Sequence, residues 1–239
     1  MKIHELPWPD GITLTIDADR DTLAEHLAEQ VAGQLRHTLQ VKARALLVVS
    51  GGSTPVPFFQ ALSQKTLAWN RVDVTLADER WVSDKHPDSN AALVKRHLQV
   101  NQAAALNWVP LLAAEDLAGA EVSAVDARLK HLAWPIDVLV LGMGNDGHTA
   151  SLFPCAKTLP DAMTRSLHQV CERIEPQTAP HARLTLTLPV LQAARQTFLH
   201  VVGQEKLNTL ACALSALNRP LDMPIRAFCR AGLQVYWSP

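Results

Sequence analysis

The stretch IDVLVLGMGNDGHT, residues 136–149, joins an apolar run to a turn that contains three glycines. The apolar run is typical of a strand buried on both faces, as in a parallel sheet covered by helices. The glycine spacing nearly matches that of a dinucleotide-binding loop, but Asp146 and His148 interrupt the pattern. The stretch therefore predicts an α/β fold and leaves two interpretations of the turn, a cofactor loop or a catalytic turn.

The residues that follow the turn argue against a nicotinamide cofactor. Pro154 ends any helix within about two turns, whereas a dinucleotide-binding loop leads into a long helix. No strand with an acidic end follows near position 166, where the ribose-binding carboxylate belongs. We predict instead that the glycines turn Asp146 and His148 into one crevice, as activation of a water requires. The alternative is that His148 caps a helix.

Short β-rich runs alternate with helical patterns along the chain, which predicts a mainly parallel sheet covered by helices. The runs are ITLTI (12–16), ALLVV (45–49), VDVTLA (72–77), IDVLVL (136–141), RLTLTL (183–188), TFLHVV (197–202) and LQVYW (233–237). Apolar residues at every fourth position predict a helix over 21–39, with Thr22 and Glu25 as its capping box. Further helices are predicted over 55–65, 89–98, 120–132 and 206–217. Because no linker divides the chain, we expect one domain over 1–239.

Composition excludes several classes of protein. The chain has 239 residues, 48% of them hydrophobic, and a formal charge of -1, so no overall charge attracts it to nucleic acid or an anionic membrane. It shows neither a signal peptide nor an apolar run long enough to span a membrane. Its four cysteines form no CxxC pair, which is typical of a reducing compartment and argues against structural zinc. We expect a soluble, cytoplasmic protein.

A second strand end carries a glycine turn, and ligands of open α/β sheets bind beyond the carboxyl ends of strands. After ALLVV, the turn formed by Gly51, Gly52, Ser53 and Thr54 offers backbone N–H groups and hydroxyls to a phosphate. Pro55 then opens a helix. The alternative is a plain turn capped by Ser or Thr. Because the Gly-Lys-Ser/Thr of a P-loop is missing, a nucleoside triphosphate is not expected.

A third strand end and two later cations complete the candidate site. Arg80 follows VDVTLA and can bind a phosphate with two hydrogen bonds, while Asp78 and Glu79 orient it or bind sugar hydroxyls. The alternative is a solvated loop with an internal Asp–Arg pair. Arg183 precedes a later strand and Lys206 begins a late helix, so both can face the crevice, although each alone is also typical of a protein surface.

Together, these stretches resemble the 6-phosphogluconolactonase family, the DevB-like lactonases. The matching pieces, in the family's order, are SGGSTP (50–55), DERWV and DSN (78–82, 88–90), GMGNDGHTASLFP (142–154), RLTLTLP (183–189) and GQEK (203–206). The resemblance implies a single Rossmann-like α/β domain, with a mainly parallel sheet flanked by helices, of the fold shared with glucosamine-6-phosphate deaminase and ribose-5-phosphate isomerase. It also implies hydrolysis of 6-phospho-D-glucono-1,5-lactone to 6-phospho-D-gluconate in the oxidative pentose phosphate pathway, with no cofactor and no metal.

The resemblance also assigns roles to residues. His148 resembles the family's general base, which activates water, and Asp146 the residue that supports it. The contacts to substrate and phosphate implied in the same way are Gly51, Gly52, Ser53, Thr54, Arg80, Arg183 and Lys206. The expected partner is a small phosphosugar lactone, with neither nucleic acid nor membrane, and the expected state is a monomer or a weak homodimer.

Two rival functions follow from the same residues. A glucosamine-6-phosphate deaminase resembles this chain in the glycine–Asp–Gly–His turn, but carries a Glu five residues after the His and a Tyr after Asp-Glu. Phe153 and Arg80 occupy those two places here, which favours the lactonase. A non-catalytic phosphosugar sensor would keep the phosphate contacts and lose the catalytic pair, whereas Asp146 and His148 are both present.

Overall fold

A computed structural model describes residues 2–119 and 121–239. Its strands are β1 (Thr13–Ile16), β2 (Ala45–Val49), β3 (Val72–Leu76), β4 (Asp78–Arg80), β5 (Asn107–Trp108), β6 (Val138–Leu141), β7 (Cys171–Ile174), β8 (Arg183–Leu186), β9 (Gln196–Val202) and β10 (Leu233–Ser238). Its α-helices are α1 (Arg20–Val41), α2 (Val56–Ser63), α3 (Asn90–His97), α4 (Val122–Leu129), α5 (Leu159–Thr164), α6 (Leu188–Gln192) and α7 (Gln204–Leu214).

The main sheet has seven strands in the order β1-β10-β9-β6-β2-β3-β5, and every pairing in it is parallel. This confirms the predicted fold class. On one side of β2 the sheet continues with β3 and β5, and on the other with β6, β9 and β10. The chain thus changes direction across the sheet between β2 and β6, and a crevice opens there at the carboxyl ends of the strands.

The buried faces explain why these segments form strands and helices. Every residue of β2, β3 and β6 is buried, as expected for central strands covered by helices on both faces. The predicted four-residue stripe of α1, which includes Leu23, Leu27, Val31 and Leu35, is buried in the core. The amphipathic pattern thus predicts α1 to within two residues at each end.

The cap of α1 differs from the prediction. Asp19 is the N-cap, and its carboxylate accepts hydrogen bonds from the backbone N–H groups of Asp21 and Thr22. The predicted capping box of Thr22 and Glu25 is therefore wrong. An Asp one turn earlier already satisfies these N–H groups, and the Glu25 carboxylate instead contacts Lys65.

A second sheet lies at the carboxyl end of β3 and was not predicted as such. It has three antiparallel strands in the order β4-β8-β7. The predicted strand RLTLTL thus belongs partly to this sheet. Asp78–Arg80 form the short strand β4, so the alternative of a solvated loop at these residues is wrong. Three charged residues give no strand signal in the sequence, because their pairing with β8 comes from the tertiary fold.

The four other predicted helices lie near the observed ones, whereas the short helices α5 and α6 were not predicted. Those predicted over 55–65, 89–98 and 206–217 correspond to α2, α3 and α7. The helix predicted over 120–132 corresponds to α4, and its expected first residue, Ala120, lies outside the described residues. Within the described part of the chain, no helix is both long enough and apolar enough to cross a membrane.

Candidate active site

A cavity of about 590 Å³ opens beside the carboxyl ends of β2 and β6. All of the residues predicted for the site line it, namely Gly51, Gly52, Ser53, Thr54, Arg80, Asp146, His148, Arg183 and Lys206. The fold therefore brings together five separate stretches of the chain at the crevice between β2 and β6. The roles of these residues stay predictions.

His148 and Asp146 form a hydrogen-bonded pair at the wall of the cavity. His148 Nδ1 lies 2.5 Å from Asp146 Oδ1, which also accepts a hydrogen bond from the His148 backbone N–H at 3.1 Å. An ionised carboxylate can only accept hydrogen bonds, so the ring proton belongs on Nδ1 and the Nε2 lone pair stays free. The pair thus has the tautomer that a general base needs.

The charge of Asp146 follows from its surroundings. Burial acts to raise the pKa of Asp146, but the hydrogen bond and charge of His148 outweigh it, so the pKa lies below its ordinary value. Asp146 is therefore ionised near neutral pH. An anion at this position orients the imidazole through its hydrogen bond to Nδ1.

Gly144 brings its backbone directly against the ring of His148. A Cβ at this position would lie 2.1 Å from His148 Cε1 and 2.2 Å from Nδ1, so only glycine fits beneath the imidazole. The Gly144 N–H donates to the His148 carbonyl at 2.8 Å, which closes the turn. The next α-helix begins only at Leu159, so the alternative of His148 as a helix cap is wrong.

Phe153 also contacts the imidazole of His148. Its ring stacks on His148 with centroids 4.1 Å apart and planes 30° apart. The Arg183 guanidinium carbon lies 5.8 Å from the centroid of the same ring. Phe153 therefore contacts the candidate base and lies near one of the predicted phosphate ligands. This contact was not predicted, because an aromatic residue in an apolar turn is ordinarily part of the core.

Arg80 and Arg183 stand directly opposite each other on β4 and β8. Like charges at opposed positions of a sheet destabilise it. Burial, and then the charge of Arg80, hold the pKa of Arg183 below its ordinary value. The Nε atoms of both arginines are buried and find no hydrogen-bond partner among the described residues. One half-buried and one buried cation in this arrangement are suited to bind an anion between them.

Lys206, near the start of α7, is the third cation of the cavity. Its Nζ donates to Asn145 Oδ1 at 2.5 Å, and Asn145 Nδ2 donates to Glu205 at 3.1 Å. Burial lowers the pKa of Lys206, while Glu205 and Asp146 act in the opposite direction. Asn145 thus links α7 to the turn that holds Asp146. This role of Asn145 was not predicted, although Asn145 directly precedes Asp146.

The carboxylates next to Arg80 do not pair with it. Asp78 Oδ2 accepts from Ser151 Oγ at 2.5 Å, and Glu79 accepts from the backbone N–H groups at the start of α3. The side chain of Arg80 instead donates to the carbonyl of Asp88. The alternative of an internal Asp–Arg pair is therefore wrong. Within the part of the chain that the structure describes, no carboxylate forms an ion pair with Arg80, Arg183 or Lys206.

The glycine turn after β2 serves a second purpose that was not predicted. A Cβ on Gly51 would lie 1.9 Å from Asn90 Oδ1, so the missing side chain makes room for Asn90. Asn90 lines the cavity and donates to the carbonyl of Asp78 at 2.9 Å. Gly52 has a φ of 99°, a conformation that favours glycine. The turn joins β2 to α2 while its backbone faces the cavity.

Known proteins are similar to this chain in sequence and in fold. The profile of the family described as glucosamine-6-phosphate isomerases/6-phosphogluconolactonase matches residues 18–237. The chain belongs to this family. It is 47% identical over 241 residues to the 6-phosphogluconolactonase of Pseudomonas aeruginosa, with 100% of both proteins covered. It is 45% identical to the 6-phosphogluconolactonase of Pseudomonas putida, with 100% of this chain and 98% of that protein covered.

Solved structures agree with this membership of the glucosamine-6-phosphate isomerase/6-phosphogluconolactonase family. A 6-phosphogluconolactonase from Shewanella baltica has a TM-score of 0.91 and 38% identity, covering 97% of this chain and 100% of that chain. A monomeric glucosamine-6-phosphate deaminase has a TM-score of 0.74 and 18% identity, covering 95% of this chain and 97% of that chain. The second likeness shows the shared fold alone, as the sequence analysis expected.

Proposed function

We propose that this protein hydrolyses 6-phospho-D-glucono-1,5-lactone to 6-phospho-D-gluconate in the oxidative pentose phosphate pathway. The main support is that the His148–Asp146 pair lies in the same cavity as three cations that form no ion pair with any carboxylate of residues 2–119 and 121–239. A base can activate water for attack on an ester, and nearby cations can bind the phosphate of the same substrate. The curated relatives named 6-phosphogluconolactonase, at 47% and 45% identity, support the same reaction.

His148 acts as the general base. Its Nε2 takes a proton from a water whose oxygen attacks the carbonyl carbon of the lactone. Asp146, hydrogen-bonded to Nδ1, stabilises the imidazolium that forms. The imidazolium then returns the proton to the ring oxygen as the ester C–O bond breaks, and the ring opens to the acid. Each proton that His148 takes up is thus given back within one turnover.

The tetrahedral intermediate needs a donor for its negative oxygen. A cation or a backbone N–H of the cavity wall meets this need, as in other acyl transfers. The lactone is already a reactive ester, so neither a covalent nucleophile nor a metal is required for this route.

The phosphate holds the lactone in place. The cavity is lined by Arg80, Arg183 and the glycine turn at 51–54. Lys206 also lines it and donates a hydrogen bond to Asn145, next to Asp146. A phosphate dianion between the two arginines offsets the repulsion of their charges. Binding energy from this remote group then orients the carbonyl beside the water and His148, which lowers the barrier.

A deaminase reaction fits this cavity less well. Phe153 stacks on His148 at the position where the resemblance predicts a Glu for a deaminase. An aromatic ring cannot transfer the protons that ring opening and isomerisation require.

The direct test is an assay of the purified protein on two substrates. Freshly generated 6-phosphogluconolactone and glucosamine 6-phosphate are supplied in parallel, and lactone loss is corrected for spontaneous hydrolysis. We expect rapid lactone hydrolysis and no ammonia release. Ammonia release from glucosamine 6-phosphate without lactone turnover would overturn the proposal, and turnover of neither substrate would favour the sensor.

A further inference from the structure

A group of metal-binding side chains lies outside the cavity, next to the arginines. His86, Asp88 and His181 each present a ring nitrogen or carboxylate oxygen, and these atoms lie within 4.8 Å of one another. None of the three residues lines the cavity, and the hydrolysis proposed above gives none of them a role. In residues 2–119 and 121–239, this is the one such group of three His, Cys, Asp or Glu side chains.

The distances are close to those of a metal site. His181 Nε2 lies 3.0 Å from Asp88 Oδ2, and His86 Nδ1 lies 3.9 Å from the same oxygen. Ligand atoms around a tetrahedral zinc ion, with bonds of about 2.0 Å, lie roughly 3.4 Å apart. Small rotations of the side chains therefore bring the three atoms around one ion. The two imidazole rings are 5.3 Å apart at 77°, so they do not block each other.

Surrounding contacts fix the position of Asp88. The side chain of Arg80 donates to the Asp88 carbonyl, and the next residue, Ser89, donates its backbone N–H to the His86 carbonyl at 3.0 Å. Contacts of this kind orient metal ligands in proteins.

Two hydrogen bonds oppose metal binding. His181 Nε2 donates to Asp88 Oδ2 at 3.0 Å, so this nitrogen must lose its proton before it binds an ion. The Asp88 backbone N–H donates to His86 Nδ1 at 3.1 Å, and this hydrogen bond must break when Nδ1 binds an ion. The nearby charges of Arg80 and Arg183 also repel a cation. We therefore expect a moderate affinity, below that of a structural zinc site.

We propose that His86, Asp88 and His181 form a site for a divalent transition metal of the zinc class. Two imidazoles and one carboxylate are a donor set that zinc takes in open sites, with water in the fourth position. The side chains are 40%, 51% and 30% exposed, so an ion enters directly from solvent. The bound ion joins two segments that are 93 residues apart in the sequence.

Titration calorimetry with ZnCl2 alone, in a buffer that does not chelate metals, tests the proposal on the full chain. We expect one ion per chain in the wild type. His86→Ala and His181→Ala are each expected to weaken binding at least 10-fold, and the double variant to abolish it. His168→Ala removes an exposed histidine elsewhere and is expected to bind like the wild type. Co2+ in place of Zn2+ is expected to give the strong visible absorption of a four-coordinate site.

Two results would overturn the proposal: absence of Zn2+ binding by the wild type, or undiminished binding by both single variants. Thermal unfolding without metal checks that each variant is folded, and Asp88→Asn replaces any variant that is not. Metal binding is measured without substrate, so its result does not depend on whether the protein hydrolyses the lactone.

Discussion

The imidazole of His148 is held in place by Gly144, Asp146 and Phe153. Asp146 binds one nitrogen of His148, Gly144 lies beneath the ring, and Phe153 stacks on it. The ring therefore has little freedom, and its free Nε2 keeps one orientation. A site that depends on such positioning is sensitive to small displacements, since errors of about 1 Å can cost about 100-fold in rate.

Gly144→Ala tests this arrangement with a single methyl group. The added Cβ would overlap the His148 ring, so we expect the ring to be displaced and kcat to fall at least ~10-fold with a smaller change in KM. Steady-state kinetics of lactone hydrolysis measure this. Gly33→Ala, where a Cβ meets nothing within 4 Å, is the matched control and is expected to keep wild-type kinetics. Equal kcat for the two variants would contradict the positioning role.

At the residue scale, the sequence predicted the cluster but not its supports. Asp146 and His148 could be predicted because glycines flank them after a buried strand. Asn145, Asn90 and Phe153 could not, since their contacts are with residues far along the chain or with a ring whose orientation depends on the fold. A local pattern carries no information about such distant partners.

The pairing of strand β4 with strand β8 explains why two arginines lie opposite each other. The antiparallel register places Arg80 opposite Arg183, at a cost in stability that the proposed role of both arginines in phosphate binding explains. Six strands of the main sheet were predictable, because they are apolar and bounded by turns, whereas the two-residue strand β5 was not predicted. The small sheet was not, because β4 has charged residues and its partner lies about 100 residues away.

Arg183→Met tests whether this pair serves function at the expense of stability. The change removes a buried charge but keeps a long apolar side chain, so we expect the free energy of unfolding to stay level or rise. The kcat/KM for the phosphorylated lactone is expected to fall at least ~10-fold, from a loss of about 1.5–3 kcal/mol of charged hydrogen bonding.

Two measurements check that prediction. Urea unfolding gives the stability, and kinetics on the phosphorylated and the unphosphorylated lactone give the specificity. The loss in kcat/KM should be confined to the phosphorylated substrate. An equal loss on both lactones would show that Arg183 acts on the reacting ester and not on the phosphate.

For the whole molecule, the apolar core is continuous. One cluster of buried residues includes Ile3 near one end of the chain and Tyr236 near the other. This supports our proposal that residues 1–239 form one domain. A monomer or weak homodimer in the cytoplasm stays a prediction. The composition and the alternation of elements were sufficient to predict this architecture, because they depend on periodicity along the whole chain.

His200 makes the stability of the whole molecule dependent on pH. It lies in β9 among core residues, and burial lowers its pKa to about 4. In the unfolded chain its pKa is about 6.5, so the unfolded state takes up this proton first as the pH falls. Its contribution is fully present above pH ~6.5 and decreases towards pH 4, by up to roughly 3 kcal/mol.

Urea unfolding between pH 7 and pH 4.5 measures this dependence. We expect the free energy of unfolding of the wild type to fall more steeply than that of His200→Leu, in which no proton is taken up at this position. His168→Leu, at an exposed site, is expected to follow the wild type. Parallel curves for wild type and His200→Leu would show that another group determines the acid sensitivity.

We propose that His148 activates water at a site that holds a phosphorylated lactone. The most direct test is lactone hydrolysis above its spontaneous rate by His148→Ala, with His168→Ala as control. We expect kcat to fall at least ~100-fold. We also expect inorganic phosphate still to raise the Tm of the variant, because the cations are unchanged. A folded His148→Ala variant that hydrolyses the lactone at the wild-type rate would contradict the role of His148 as the general base.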